Sequence, residues 1–205
     1  MKKLLRIDAS LRKEGSHSRQ LADYFEKNWL KVHSTGKVIY KDLTKTEIPH
    51  LKNETVEAFH IPLKEQNKIN KQATRLSDKL ILELKSVDYV LISSPLYNLN
   101  IPSTLKSYLD HIIRSGHTFR VNKDGSYQGL LKNTKAFLIT TKGETYKGTA
   151  MTSLDFQEPY LKTIFGFINL ELKAIFSLEG TAYPELLEKN NKIQQEKILM
   201  NLQNI

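Results

Sequence analysis

Five short apolar runs punctuate the chain: Leu4–Asp8, Val38–Asp42, Tyr89–Ser93, Ala136–Thr140 and Leu172–Ser177. Several are nearly continuous in hydrophobicity rather than alternating, which is the pattern of strands covered on both faces. Between them the spacing becomes helical. Leu21, Phe25, Trp29 and Val32 recur every three or four residues, as do Ile69, Ala73, Leu76, Leu80 and Leu84, and then Leu105, Leu109 and Ile112. Each set places one apolar stripe on a helix. Pro159 falls in the first turn of a fourth helix, and Pro184 opens a last one whose stripe is weak. Strands and helices in strict alternation predict an α/β fold, with a parallel sheet, right-handed crossovers and helices on both faces. Five strands favour the order 2-1-3-4-5. The segment Thr118–Leu131 departs from the alternation, and its Asp124-Gly125 pair predicts a hairpin inserted between the third helix and the fourth strand. No repeat, linker or compositional break divides the chain, so residues 1–205 are expected to form one domain.

Composition narrows the function. Hydrophobic residues make up 40% and charged residues 26% of the 205, the balance of a folded protein rather than a disordered one. The net charge of +9 invites a nucleic-acid partner, but the cations are scattered, mostly lysine, and not interleaved with aromatics. They read as a solvated surface, with no nucleic-acid partner expected. No apolar run nears the roughly 20 residues that cross a bilayer, so no membrane association is expected, and Met1-Lys2-Lys3-Leu4-Leu5-Arg6 lacks the apolar stretch of a signal peptide. The chain has no cysteine. That removes disulfides and thiol nucleophiles and suits a reducing compartment, so a cytoplasmic location is expected.

In an open parallel sheet, ligands gather at the carboxyl ends of the strands, near the point where strand order reverses. The loop after the first strand, Asp8 to Arg19, has neither a dinucleotide fingerprint nor a P-loop ending. It offers hydroxyls and free N–H groups at a helix N-terminus, beside Arg12 and Arg19, which suits a phosphate monoester. Ser16 or Ser18 serving as an ordinary N-cap explains the same residues equally well. The loop after the third strand, Ser93 to Ser103, is stiffened by Pro95 and Pro102, with Asn98 to bond a heterocycle's polar edge and Tyr97 to pack on its face. After the fourth strand, Gly143 in Thr141-Lys142-Gly143-Glu144 lets backbone approach a ring. Asp8, Ser10 and His17 crowd one short loop, which disfavours a hydrolytic triad. His111 and His117 do not share a helix face and read as structural or surface residues.

The stretch Ser94-Pro95-Leu96-Tyr97-Asn98-Leu99-Asn100-Ile101-Pro102-Ser103-Thr104-Leu105-Lys106 carries a specific likeness. So do Gly116-His117-Thr118-Phe119-Arg120 with Gly129-Leu130-Leu131, and Asp155-Phe156-Gln157-Glu158-Pro159-Tyr160-Leu161 with Phe165-Gly166-Phe167-Ile168. In order and spacing these resemble the flavodoxin-like FMN-dependent NADH-azoreductase and quinone reductase family over nearly the whole chain.

The resemblance implies an FMN-dependent NAD(P)H oxidoreductase, with tightly bound FMN and NADH or NADPH as reductant. It implies quinone or azo acceptors, reduced by ping-pong transfer through the flavin, in a homodimer whose interface forms part of the active site. The phosphate falls to Ser10 and the turn Ser16, His17 and Ser18; the isoalloxazine falls to Leu96, Tyr97, Asn98 and Leu99 and to Thr141, Lys142, Gly143 and Glu144. No protein nucleophile or metal is required. Leu96 replaces a usual methionine, Lys142-Gly143-Glu144 replaces Arg-Gly-Gly, and Val121 replaces an aromatic. Lys142 is expected beside the flavin's N1–C2 edge, where it would raise the reduction potential. Tyr160, Leu161, Ile164, Phe165, Phe167 and Ile168 exceed a single core-facing stripe, and a dimer face on that helix would use the excess. A flavodoxin-type electron carrier is the alternative; the basic charge, the hairpin and this apolar helix argue against it.

Overall fold

The computed structural model describes residues 1–205. The five apolar runs form one parallel sheet: β1 (Lys3–Asp8), β2 (Lys37–Asp42), β3 (Tyr89–Pro95), β6 (Lys135–Thr141) and β7 (Glu171–Leu178). Their order is β2-β1-β3-β6-β7, the 2-1-3-4-5 arrangement once the two hairpin strands are set aside. Those strands, β4 (Phe119–Val121) and β5 (Tyr127–Gly129), pair antiparallel as a separate ribbon. The turn between them is longer than the Asp124-Gly125 dipeptide, because the Asn122 N–H closes it on the Ser126 carbonyl.

Helices α1 (His17–Val32) and α6 (Pro184–Leu202) cover one face of the sheet, while α3 (Lys68–Lys85), α4 (Ser103–Ile112) and α5 (Gln157–Phe167) cover the other. The central strands explain why their sequences look continuous. Leu91 and Phe137 pack towards α1, where Phe25 and Trp29 reach them, whereas Val90, Ile92 and Leu138 pack towards α4 and α5. Alternate residues thus meet two different cores, and both must be apolar.

Two helical stripes depart from expectation. On α3 the buried face is Thr74, Ser77, Leu80, Ile81 and Leu84, and Ile69 is exposed. On this face the Ser77 hydroxyl donates to the His111 carbonyl, so its burial leaves no unmet polar group. Ile69, Ala73 and Leu76 line an open cavity of about 740 Å³ with Pro49 and His50. Val32, the last residue of α1, is also exposed. An additional short helix, α2 (Asn53–Phe59), buries only Thr55 and Ala58. It therefore carries no apolar period for sequence patterning to detect.

The apolar excess on α5 is consumed largely within the chain. Leu161, Phe165 and Ile168 are buried in the main core, with Tyr160 and Ile164 packed at its margin. Phe167 meets the hairpin through Phe119 and Tyr127, at ring-centroid distances of 4.7 and 5.3 Å. Gly129 makes this docking possible, since a Cβ there would lie 2.3 Å from the Asn169 backbone nitrogen. Phe165 thus belongs to the subunit's own core, and its aromatic character is accounted for without an interface.

Candidate functional site

Parallel strands deliver their following loops to one edge, so the sheet order fixes which loops are neighbours: β1 lies beside β3, and β3 beside β6. The chain between them reinforces this. The Ala9 N–H donates to the Ser93 carbonyl, and the Leu96 N–H to the Thr141 carbonyl, stitching the first loop to the third and the third to the fourth. All twelve of the residues singled out from sequence therefore lie along the carboxyl edge of these three strands.

The first loop ends in an unusual cap. Ser16 occupies the N-cap of α1, yet its side chain caps no N–H. Instead its hydroxyl lies 3.3 Å from the Ser18 hydroxyl, and both residues are buried. The first backbone N–H of the helix with an internal acceptor belongs to Gln20, which leaves those of His17, Ser18 and Arg19 free. A helix end without its own cap is a ready anion site, since donors and partial positive charge converge there. Ser16 is thus not an ordinary side-chain cap. Gly15, at φ +63°, supplies the left-handed turn that brings the chain into the helix.

Behind this turn lies an ion network centred on the buried Arg6 and Asp8. Arg6 pairs with Asp8, Asp23 and Glu26, and Arg19 with Asp42 at 2.8 Å, while Arg19 also donates to the Ser10 carbonyl. The Ser93 hydroxyl donates to Asp8. Burial raises the Asp42 pKa, but the Arg19 and Thr44 hydrogen bonds and the Arg19 charge together outweigh it and hold the carboxyl down at about 2. Asp8 is thus a structural counter-ion, and Arg19 braces the loop rather than offering a free charge.

The third loop folds into a two-residue turn. Tyr97 and Asn100 exchange both backbone hydrogen bonds, with Asn98 at φ +46° and Leu99 at φ +67° between them. Both central residues having positive φ defines a type I′ geometry, tolerable for asparagine and strained for leucine. The Leu99 carbonyl is held by the Phe156 N–H, so the start of α5 stabilises the turn. The N–H groups of Asn98 and Leu99 have no protein acceptor, nor does the Asn98 side chain, which is exposed. Strain held in place at an exposed turn is a mark of a functional loop.

The fourth loop corrects one expectation. The Lys142 side chain turns away from the third loop's turn and into the protein, where only 1% of it is exposed. Its ammonium donates to Asp155 at 2.7 Å, Glu158 at 2.8 Å and Glu179 at 3.0 Å. Burial opposes its charge, but the hydrogen bonds to Asp155, Glu158 and Glu179 and the Glu158 charge together outweigh that and keep its pKa above the ordinary value. Burial pushes Glu158 up, but hydrogen bonds from Lys142, Ser177 and Thr140, with the Lys142 charge, together hold it below its ordinary value. A cation so fully neutralised cannot tune a ligand at the ring edge as a free charge would, so the expected Lys142 effect on reduction potential is withdrawn.

What the loop leaves available is backbone. The Lys142, Gly143 and Glu144 carbonyls accept from Thr181, Ala182 and Gly180, whereas the N–H groups of Gly143 and Glu144 have no protein acceptor. The Glu144 carboxylate accepts from the Tyr183 hydroxyl at 2.9 Å and is otherwise exposed. A Cβ on Gly143 would make only ordinary contact with Ala182 at 4.0 Å, so nothing inside the protein demands glycine there. Sequence reasoning missed the three carboxylates around Lys142 and the Tyr183 contact, all supplied from elements far along the chain.

A parallel five-stranded sheet in this order, with unsatisfied donors gathered where β1, β3 and β6 end, defines a flavodoxin-like ligand-binding protein. Residues 2–200 match the family described as flavodoxin-like fold. The FMN-dependent NADH:quinone oxidoreductase of Hydrogenovibrio crunogenus (strain DSM 25203 / XCL-2) is 42% identical over 197 residues, 96% of each chain. The protein of the same name from Marinomonas sp. (strain MWYL1) is 40% identical over 185 residues, 90% of this chain and 91% of its own. The chain belongs to this flavodoxin-like family of FMN-dependent NADH:quinone oxidoreductases. An azoreductase structure from Bacillus anthracis str. Sterne superposes with a TM-score of 0.88 over 100% of both chains at 24% identity, a likeness of fold. An FMN-dependent NADH-azoreductase from Bacillus anthracis str. Ames Ancestor, in complex with FMN, gives 0.83 at 25% identity over 97% and 98% of the chains.

Proposed function

We infer that the protein is an FMN-dependent NADH:quinone oxidoreductase that also reduces azo compounds, with residues 1–205 working as one FMN-binding unit. The observation that carries the reading is the set of backbone donors without protein acceptors on three neighbouring loops: His17, Ser18 and Arg19, then Asn98 and Leu99, then Gly143 and Glu144. Free donors in these positions suit a flat heterocycle linked to a phosphate. When bound, FMN supplies hydride acceptance from NADH and electron delivery to a quinone or azo acceptor, in two half-reactions at one face.

The chain's own part is to bind and orient. Ser10, Ser16, His17 and Ser18 hold the phosphate, with the helix end supplying N–H groups. Leu96, Tyr97, Asn98 and Leu99 form one wall of the ring site, and Asn98 offers an amide to its polar edge. The stretch Thr141, Lys142, Gly143 and Glu144 forms the other through backbone, the Lys142 ammonium acting from behind to fix the loop. No side chain need transfer a proton or form a covalent bond.

The working form is a homodimer, supported by the large apolar side chains left in solvent beside the third loop, among them Leu11 and Phe156. No helix is long and apolar enough to cross a membrane. The cysteine-free composition supports a cytoplasmic setting.

Purified protein reconstituted with FMN is expected to oxidise NADH in the presence of a quinone, with parallel double-reciprocal plots. Binding FMN without turning over quinone and NADH would reassign it as an electron carrier. Failure to retain FMN would remove the reading altogether. Sedimentation at micromolar concentration showing only monomer would end the dimer assignment.

A further inference from the structure

The phosphate cradle at α1 has a charge problem that one residue resolves. Two arginines lie close behind the cradle, and both are spent. Arg6 is paired with Asp8, Asp23 and Glu26, and Arg19 with Asp42 and, at 3.6 Å, with Asp8. Two cations against four carboxylates leave this network with an excess of negative charge, which opposes a phosphate dianion. The N–H groups of the helix end supply only partial positive charge. A full counter-ion must come from the loop itself.

Arg12 meets that need. It is exposed, and neither an ion pair nor a hydrogen bond engages its guanidinium. Its side chain nonetheless folds back over the turn that precedes the cradle: a Cβ built on Gly15 would lie 3.1 Å from Nη2. Gly15 is the residue immediately before Ser16, the N-cap of α1, so the guanidinium lies beside the turn that leads into the cradle. Lys13, the neighbouring cation, is exposed and has no comparable contact. A planar guanidinium with several donors matches phosphate oxygens better than an ammonium does.

We propose that Arg12 is the counter-ion of the flavin phosphate and the residue that makes this site select FMN over riboflavin. The proposal rests on the FMN reading above and adds to it the source of phosphate selectivity. In this arrangement the buried serines and the helix end position the phosphate, while Arg12 supplies the charge that the Arg6–Arg19 network withholds. Because Arg12 sits in solvent, its attraction is screened by salt, and FMN affinity falls with ionic strength.

The test compares FMN and riboflavin, which differ only in the phosphate, by fluorescence titration of apoprotein from wild type, Arg12→Ala, Arg12→Lys and Lys13→Ala. Arg12→Ala is expected to weaken FMN binding by about tenfold, the lower end for a bond to a charged group because the site is solvated. It should leave riboflavin affinity unchanged and flatten the salt dependence for FMN. Arg12→Lys should recover part of the loss, and Lys13→Ala should behave as wild type. Equal losses for both ligands, or no loss for either, overturn the role of Arg12 while leaving FMN binding intact. A Lys13→Ala loss matching that of Arg12→Ala overturns it too, by reducing the effect to general loop charge. Wild type that binds neither flavin overturns the FMN reading itself, and this proposal with it.

Discussion

The Lys142 ammonium lies 2.8 Å from the Glu158 carboxylate, a contact that joins the loop after β6 to the first turn of α5. Asp155 and Glu179 complete the cluster, and the second Glu179 oxygen accepts the Tyr146 and Lys147 N–H groups. One cation therefore fixes α5, the end of β7 and the fourth loop together. Lys142→Met leaves three carboxylates crowded around an apolar side chain without their shared cation and is expected to cost about 3 kcal/mol. Urea unfolding checks this, and a loss below about 0.5 kcal/mol, the scale of an ordinary surface change, would show the cluster to be dispensable.

Phe165 is 1% exposed and packed in the core beneath α5. Phe165→Glu is therefore expected to unfold the subunit rather than to dissociate a dimer, since an unpaired carboxylate there has no partner and little water. The expected loss exceeds about 4 kcal/mol, in the range reserved for severe core damage. Circular dichroism with sedimentation separates the outcomes, because a folded monomer would return Phe165 to an interface.

How far the molecule was legible in its sequence depended on the range over which each residue acts. The sheet could be read because Leu91 and Ile92 face opposite cores and had to be apolar together. The Ile69 stripe misled, since patterning counts apolar residues and α3 buries Thr74 and Ser77 instead. The three loops could be placed from strand order alone. The direction of Lys142 could not, because its carboxylate partners lie 13, 16 and 37 residues away. Asparagine hinted at a left-handed turn at position 98, but nothing local announced Leu99 at φ +67°. That conformation is imposed by the Tyr97–Asn100 pairing and the Phe156 N–H.

The Asp42–Arg19 pair predicts a pH dependence. Asp42 titrates at about 2 in the folded protein against an ordinary 3.8. A depressed folded pKa gives stability that is fully present above the unfolded value and is lost as pH falls through the folded one. Screening of this partly exposed pair reduces the contribution to about 1 kcal/mol, disappearing between roughly pH 4 and pH 2. Asp42→Asn should lower stability at pH 7 and show a shallower fall across that window. Identical slopes for variant and wild type in urea titrations at pH 4, 3 and 2 would remove Asp42 as the source.

Asn98 permits a separation of backbone from side chain. At φ +46° it occupies a region that glycine enters freely and leucine does not. Its side-chain amide bonds to nothing in the protein, so removing it costs no internal contact. Asn98→Gly should therefore leave stability within about 0.5 kcal/mol of wild type. It should still weaken FMN binding by about 1–2 kcal/mol, because a polar ring atom loses its partner. Asn98→Leu should weaken binding at least as much and also destabilise the fold by about 1–2 kcal/mol, through left-handed strain. Fluorescence titration gives the first quantity and thermal unfolding of the apoprotein the second. If Asn98→Gly binds FMN as tightly as wild type while Asn98→Leu does not, the turn contributes only its shape, and the amide at position 98 lies outside the flavin site.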